Sequence, residues 1–205
     1  MTILLILASV FALNDFSSFT YCRQNSRGDY ELQCVKLDSA GKGEVNFKRR
    51  EAEAVNVEIQ LSPPATMRFI DVLAATNYLE DAQSYESGRK IADLGKKHLT
   101  LETTQGTREA TYNFSDRKEV MNLTAFFEAL INQETLIFDL DNAVQFERLS
   151  VPKRLDQIEA ELKAKRIADP ARLIPILEKI ESDQRLMNYA RTEAVNLKKQ
   201  IQTAK

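Results

Sequence analysis

Few residues of this chain have the type and spacing that catalysis requires. Its 205 residues include one histidine, two cysteines and no tryptophan, so the common zinc sites built from cysteine and histidine cannot form. His98 alternates with Leu99 and Leu101 in a strand-like pattern, which places it on the opposite, solvent-facing side. A serine–histidine–aspartate triad would need His98, and no Gly-x-Ser-x-Gly motif accompanies it. We therefore expect no metal site, and without a glycine-rich phosphate loop we expect no cofactor.

One serine–lysine pair, in the sequence Ser87-Gly-Arg-Lys90, remains as a candidate for catalysis. In some acyl-transfer enzymes a serine and a lysine at this spacing share one helical turn, and the amine activates the hydroxyl. Here both residues lie in an irregular stretch, and no partner motif of those enzymes occurs in the chain. A serine hydrolase or acyl-transfer enzyme using this pair is the alternative to a non-enzymatic role.

The two cysteines, Cys22 and Cys34, are spaced for a cross-strand disulfide. Strand-like sequences flank a polar turn that contains Gly28, and position 28 is the midpoint between the two cysteines. A hairpin centred there places Cys22 directly opposite Cys34, within reach of a disulfide if that pair is not hydrogen-bonded. The alternative is two ordinary strand cysteines that stay reduced, as in a cytoplasmic protein.

The first residues have the character of a secretory signal. Residues 3–13 form an apolar run broken only by Ser9, too short for a membrane-spanning helix and typical of a signal sequence. Val10 and Ala12 suit the positions before a cleavage point, so we predict a signal peptide over residues 1–12. The run lacks a preceding positive charge, which leaves a buried strand or helix as the alternative. Cleavage predicts a periplasmic or secreted protein with no transmembrane span, and otherwise the protein is cytoplasmic.

The elements that position these residues begin with a sheet predicted over residues 13–115. Residues 55–61 show the strict apolar–polar alternation of a half-buried strand, and a helix predicted over 63–77 follows. The other predicted strands are 16–23, 30–37, 44–50, 97–103 and 108–114. The fold class is therefore α+β: a mostly antiparallel β-meander of about six strands with one inserted helix, followed by an all-helical C-terminal half.

Residues 116–205 are predicted to be helical throughout. Narrow apolar stripes at helical spacing indicate four or five helices, packed as hairpins on the sheet or as a second small domain. Pro175 falls within one stripe, so we expect a kink there or a later helix start. Basic and acidic residues are nearly balanced over the chain, at 28 and 30, which provides no field to attract nucleic acid.

Part of this pattern is similar to known proteins. The alternating strand 55–61, the helix through 69–73, a loop with Asp93 and the hairpin around Gly106 resemble a recurring, largely uncharacterised type of small bacterial extracytoplasmic domain. A more distant similarity is to the small inhibitors of thermolysin-type metalloproteases. The resemblance spans about residues 30–130 and implies an α+β domain outside the cytoplasm. It carries no inhibitory residue over to this chain.

These observations predict a non-enzymatic exported or envelope-associated domain that binds another macromolecule, which we expect to be a protein. The irregular stretch 78–95 carries Tyr78, Tyr85, Arg89 and Lys90. Because aromatic and arginine side chains are enriched at protein interfaces, we predict that these four residues form the contact surface. A structural helical scaffold that forms an oligomer is a further alternative.

Overall fold

The computed structural model describes residues 16–25, 29–51 and 53–203. The predicted signal peptide, residues 1–12, lies outside the described residues, and so does Gly28 of the predicted turn. The described chain is an α+β protein whose six strands form one antiparallel sheet in the order β4-β3-β2-β1-β5-β6. The strands are β1 (Phe16–Gln24), β2 (Tyr30–Leu37), β3 (Lys42–Arg49), β4 (Ala54–Gln60), β5 (Lys96–Thr103) and β6 (Gly106–Tyr112).

The sheet order follows from one excursion of the chain. Strands β1 to β4 form a meander, after which the chain leaves the sheet and returns on the far side of β1 as β5. Strands β5 and β6 then form the predicted hairpin. Strand β1 is therefore internal, with β2 on one side and β5 on the other, so residues of three strands meet around it.

Helix α1 (Pro63–Ala75) opens that excursion and is two residues shorter than predicted. It ends because Asn77, Tyr78 and Leu79 all have left-handed backbone angles, with φ of 50°, 49° and 60°. A right-handed helix cannot continue through such residues. Ser62 stands at the predicted cap position, but its hydroxyl donates to Asp169 at 2.7 Å and makes no cap hydrogen bond.

The C-terminal half is helical, as predicted. It comprises α2 (Lys118–Phe146), α3 (Val151–Lys163), α4 (Ile174–Ser182) and α5 (Asn188–Thr203). The expectation of a later helix start at Pro175 is confirmed, because a short 3-10 turn precedes α4 and places this proline in the first turn. There its missing N–H has no helical partner to lose. Among the described residues, no helix has the length and hydrophobicity needed to cross a membrane.

Two hydrophobic cores share helix α2. The first lies between one face of the sheet, α1 and the start of α2, and it includes Phe19, Phe69 and Phe127. The second joins the end of α2 to α3, α4 and α5 around residues such as Leu155 and Leu177. All six strands and α1 lie before the predicted boundary at residue 116, and the first core extends past it onto α2, where the two cores meet.

Candidate functional site

The predicted contact surface needs one correction, at Tyr85. This side chain is 1% exposed, and its ring packs edge-on against Tyr112 with the ring centres 6.2 Å apart. Its hydroxyl donates to the carbonyl oxygen of Thr76 at 3.3 Å, and Arg117 lies over the ring. Tyr85 therefore belongs to the core and is not available to a partner. The surrounding irregular sequence concealed this because it has no periodicity from which burial could be predicted.

The other three residues of the predicted surface are accessible but do not form one compact patch. Tyr78 is half-buried, and its carbonyl oxygen accepts a hydrogen bond from Arg108 near the start of β6. Arg89 and Lys90 are exposed, and Arg89 lies over the ring of Phe114, beyond the end of β6. Positions 108 and 114 are separated by about 20 Å along a strand. The predicted residues therefore form a strip beside the edge strand.

The Ser87–Lys90 pair lacks the helical turn that its proposed chemistry requires. Residues 85–95, all of them described, form neither helix nor strand. The Ser87 hydroxyl donates to Asp116 and accepts a hydrogen bond from the backbone N–H of Arg89 at 3.1 Å. Asp116 is also the ion-pair partner of Arg89. The hydroxyl is thus part of a loop-stabilising cluster centred on a carboxylate.

The outward face of the sheet carries the disulfide. Cys22 and Cys34 are bonded and directly opposite each other on β1 and β2, which confirms the predicted pairing. His98 is the register partner of Cys22 on β5 and faces outward, as predicted. Its Nδ1 atom lies 2.8 Å from the hydroxyl of Thr111. Because both cysteines are bonded, neither can supply a thiolate to His98.

A row of polar residues crosses the inward face of the same sheet. Gln33, Arg23, Lys97 and Tyr112 are successive register partners on β2, β1, β5 and β6. The neighbouring inward row is apolar and includes Val35 and Leu99 at the corresponding positions of β2 and β5. The polar row therefore marks one end of the sheet, next to helix α2, as different from the rest of the core.

Lys97 is the most unusual member of this row. It is only 5% exposed, although lysine is rarely buried without an ionic partner. Its ammonium donates to the backbone oxygens of Asn113 at 2.8 Å and Leu94 at 3.2 Å. Burial lowers the pKa of Lys97, and the nearby charge of Arg23 lowers it further, while Glu128 raises it. A buried cation with a lowered pKa is typical of functional sites as well as of structural networks.

Arg23 lies beside Lys97 and has unused hydrogen-bonding capacity. One terminal nitrogen donates to Gln33 at 2.7 Å, and the other lies 3.8 Å from a carboxylate oxygen of Glu128 on α2. Its Nε atom is buried and has no hydrogen-bond partner. The same Glu128 oxygen accepts from the hydroxyl of Tyr21 at 3.4 Å, and burial raises the pKa of this tyrosine.

Arg23, Lys97 and Glu128 line a cavity of about 440 Å³ between the sheet and the start of α2. Buried Lys97 and Tyr112 lie on the sheet side, and Thr124 and Glu128 lie on the helix side. The Tyr112 and Thr124 hydroxyls are 2.6 Å apart. The remaining lining combines four apolar side chains, Leu94, Phe114, Met121 and Ala125, with the polar residues Asn113 and Ser115. A concave, mostly apolar cavity with a few converging polar groups has the usual composition of a ligand site.

A larger groove of about 600 Å³ lies between β4 and α4, but its charged groups already have partners. There Lys179 pairs with Asp141, and Arg172 pairs with Glu134. The cavity beside Lys97 therefore has the stronger claim as a binding site, because one of its buried donors has no acceptor. We call it the Lys97 pocket.

The Lys97 pocket was not identified from the sequence. Lys97 has the same strand parity as Leu99 and Leu101, so the pattern that turned His98 outward also turned Lys97 inward. Arg23 has the parity of Phe19 and Tyr21 in the same way. The presence of two basic residues at inward-facing strand positions was the only sequence feature in these strands that indicated the pocket. Their juxtaposition could not be derived locally, because it depends on β5 pairing with β1.

No protein-family model matches the chain, and no curated protein matches it. Within the described ranges, no cluster of three or more histidine, cysteine, aspartate or glutamate side chains is arranged to hold a metal ion.

Proposed function

We propose that this chain is an exported, non-enzymatic binding domain that works in the periplasm or outside the cell. The observation that carries the proposal is the Cys22–Cys34 disulfide, which uses both cysteines of the chain. Disulfides persist in oxidising compartments and are rare in the cytosol. The signal-like segment at residues 1–12 and the resemblance to small extracytoplasmic domains support the same compartment.

The position of the bond supports a stabilising role for it. The bond joins directly opposed residues of neighbouring strands. Cys22 lies on the internal strand β1, where His98 of β5 is its register partner on the other side. The disulfide therefore links β1 and β2 covalently, and both are internal strands of the sheet. A bridge of this loop length stabilises the folded chain by about 3 kcal/mol, because it restricts the unfolded state.

The intact mass of the protein made in its native host, from its native start, tests the export proposal. Export predicts the loss of residues 1–12 together with two hydrogens, which correspond to the disulfide. A full-length chain with two free thiols would overturn the proposal and would favour a cytoplasmic scaffold.

We further propose a protein partner that contacts the strip formed by Tyr78, Arg89 and Lys90. The left-handed turn at 77–79 supports this assignment, because backbone in sparsely populated conformations clusters at functional sites. The double variant Arg89→Ala, Lys90→Ala should reduce recovery of a cross-linked partner from native cells. Lys153→Ala, an exposed lysine on α3, is the matched control. Equal recovery by both variants would contradict this surface.

The alternative of a serine hydrolase that uses Ser87 and Lys90 has a test of its own. The Ser87 hydroxyl is hydrogen-bonded to a carboxylate and not to a lysine amine, so it is not activated as a nucleophile by Lys90. A fluorophosphonate probe should therefore leave the protein unlabelled. Labelling of the wild type that disappears in Ser87→Ala would establish a serine enzyme instead.

A further inference from the structure

We propose that the Lys97 pocket binds a small monocarboxylate with an apolar chain, and that Arg23 and Lys97 hold its carboxylate. This inference goes beyond the proposed export and partner binding and does not depend on them. It assigns a ligand class to a cavity that has no role in the contact strip.

The pocket has N–H donors that lack hydrogen-bond acceptors. A protonated lysine has three N–H donors, and Leu94 and Asn113 accept two of those of Lys97. The Nε of Arg23 is buried with no acceptor. An acceptor that enters the pocket beside Lys97 takes up its remaining N–H donor and lies next to the positive charge of Arg23.

The charge of the pocket favours an anion. Two cations, Arg23 and Lys97, line it together with the single carboxylate of Glu128. Asp93 and Glu86 also act on Lys97, more weakly than Glu128, and neither lines the cavity. The carboxylates of Asp93 and Glu86 accept backbone hydrogen bonds from Gly95 and Asn113, respectively. One unit of positive charge in the lining is therefore unbalanced.

The walls select a carboxylate that carries an apolar chain. Leu94 and Met121 stand at the mouth with 51% and 45% of their surface exposed, and Phe114 and Ala125 extend the apolar lining. The volume of about 440 Å³ is at the small end of the range for ligand pockets. Inorganic phosphate would match the cations but would leave these walls exposed to water. A medium-chain carboxylate satisfies both parts of the pocket.

Calorimetric titration of the oxidised, full-length protein at pH 7 with butanoate, hexanoate and octanoate tests the proposal. One site is expected, and affinity should rise by up to about fourfold for each methylene buried. Octanamide has the same chain without the charge and should bind at least about tenfold more weakly. Equal affinity for octanoate and octanamide, no binding of octanoate, or tighter binding of inorganic phosphate would overturn the proposal.

Variants at the mouth of the pocket keep the test independent of folding. Met121 is exposed on α2, so Met121→Glu and Met121→Gln should both fold. Met121→Glu places a negative charge beside the ligand and should weaken octanoate binding several-fold more than Met121→Gln, which removes the same apolar contact without adding a charge. Lys97→Met should weaken binding at least about tenfold, and Lys153→Met should not. Equal binding by the two Met121 variants would contradict the assignment.

Discussion

Arg172 and Glu134 form a two-point ion pair between the two hydrophobic cores. The Nε atom of Arg172 lies 2.6 Å from one carboxylate oxygen of Glu134, and an Nη atom lies 2.8 Å from the other. Glu134 is 1% exposed on α2, between Ile131 of the first core and Leu140 of the second. Burial alone would lower the pKa of Arg172, but the hydrogen bonds and charge of Glu134 raise it overall. The pair fixes the loop before α4 onto the shared helix.

Arg172→Met should destabilise the protein strongly. Removing one partner of a buried pair leaves the other charge uncompensated, at a cost of about 3–5 kcal/mol in the free energy of unfolding. Arg166→Met is a matched control, because Arg166 pairs with Glu161 with similar two-point geometry at the exposed surface. An exposed pair contributes about 0–1 kcal/mol. Urea unfolding measures both values, and equal losses would contradict the assigned role of burial.

Replacing both cysteines should lower stability without changing the fold. The disulfide joins residues 12 positions apart, and a loop of that length predicts a loss of about 3 kcal/mol in the double variant Cys22→Ser, Cys34→Ser. Chemical unfolding of the oxidised wild type and the variant, with circular dichroism to verify the fold, measures this loss. A difference below about 0.5 kcal/mol would show that the bond does not stabilise the folded chain.

Tyr85→Ala should reduce stability and should not act as an interface variant. The ring is buried against Tyr112, so its removal leaves a cavity and costs about 3–5 kcal/mol, as for other large core rings. Lys90→Ala, at an exposed position five residues away, should change the free energy of unfolding by less than about 0.5 kcal/mol. Thermal or urea unfolding distinguishes the two. A Tyr85→Ala protein as stable as the wild type would contradict the burial of this ring.

Tyr112 should make the stability of the protein fall more steeply in alkali than that of its phenylalanine variant. Burial raises the pKa of Tyr112 to about 12, while the unfolded chain ionises near pH 10. Because the folded pKa is raised, the stabilising contribution is complete below pH 10 and is lost as the pH rises from 10 to 12. The advantage of the wild type over Tyr112→Phe should fall by up to about 1.4 kcal/mol for each pH unit in that window. Parallel stability curves for the two proteins would contradict the burial of this hydroxyl.

The strands and the disulfide could be predicted because their signals are local. Alternation along each strand defines which residues face inward, and the symmetric spacing of Cys22 and Cys34 about one turn defines their pairing. The same locality allowed a kink or a later helix start near Pro175 to be anticipated, and α4 begins at Ile174. Each of these inferences needs only residues that are close in the chain.

The contacts that could not be predicted join residues far apart in the chain. Asp169 accepts hydrogen bonds from the backbone and hydroxyl of Ser62, 107 positions away, so it binds α1 to the helical half instead of capping its own helix. Arg23 and Lys97 meet only because the chain returns beside β1 after α1. Tyr85 is buried by β6, although its neighbours in the chain are polar. Long-range tertiary packing decides all three, and no local pattern specifies it.

The NMR signal of the Lys97 side chain tests most directly the proposed binding of a carboxylate at the polar end of the sheet. In a protein with ¹³C-labelled lysines, the Lys97 signal is assigned by its absence from the spectrum of Lys97→Met. Octanoate should shift this signal progressively to saturation while the signal of exposed Lys153 stays in place, and octanamide should leave both where they are. An unmoved Lys97 signal in the presence of saturating octanoate, or an equal shift with octanamide, would contradict the claim.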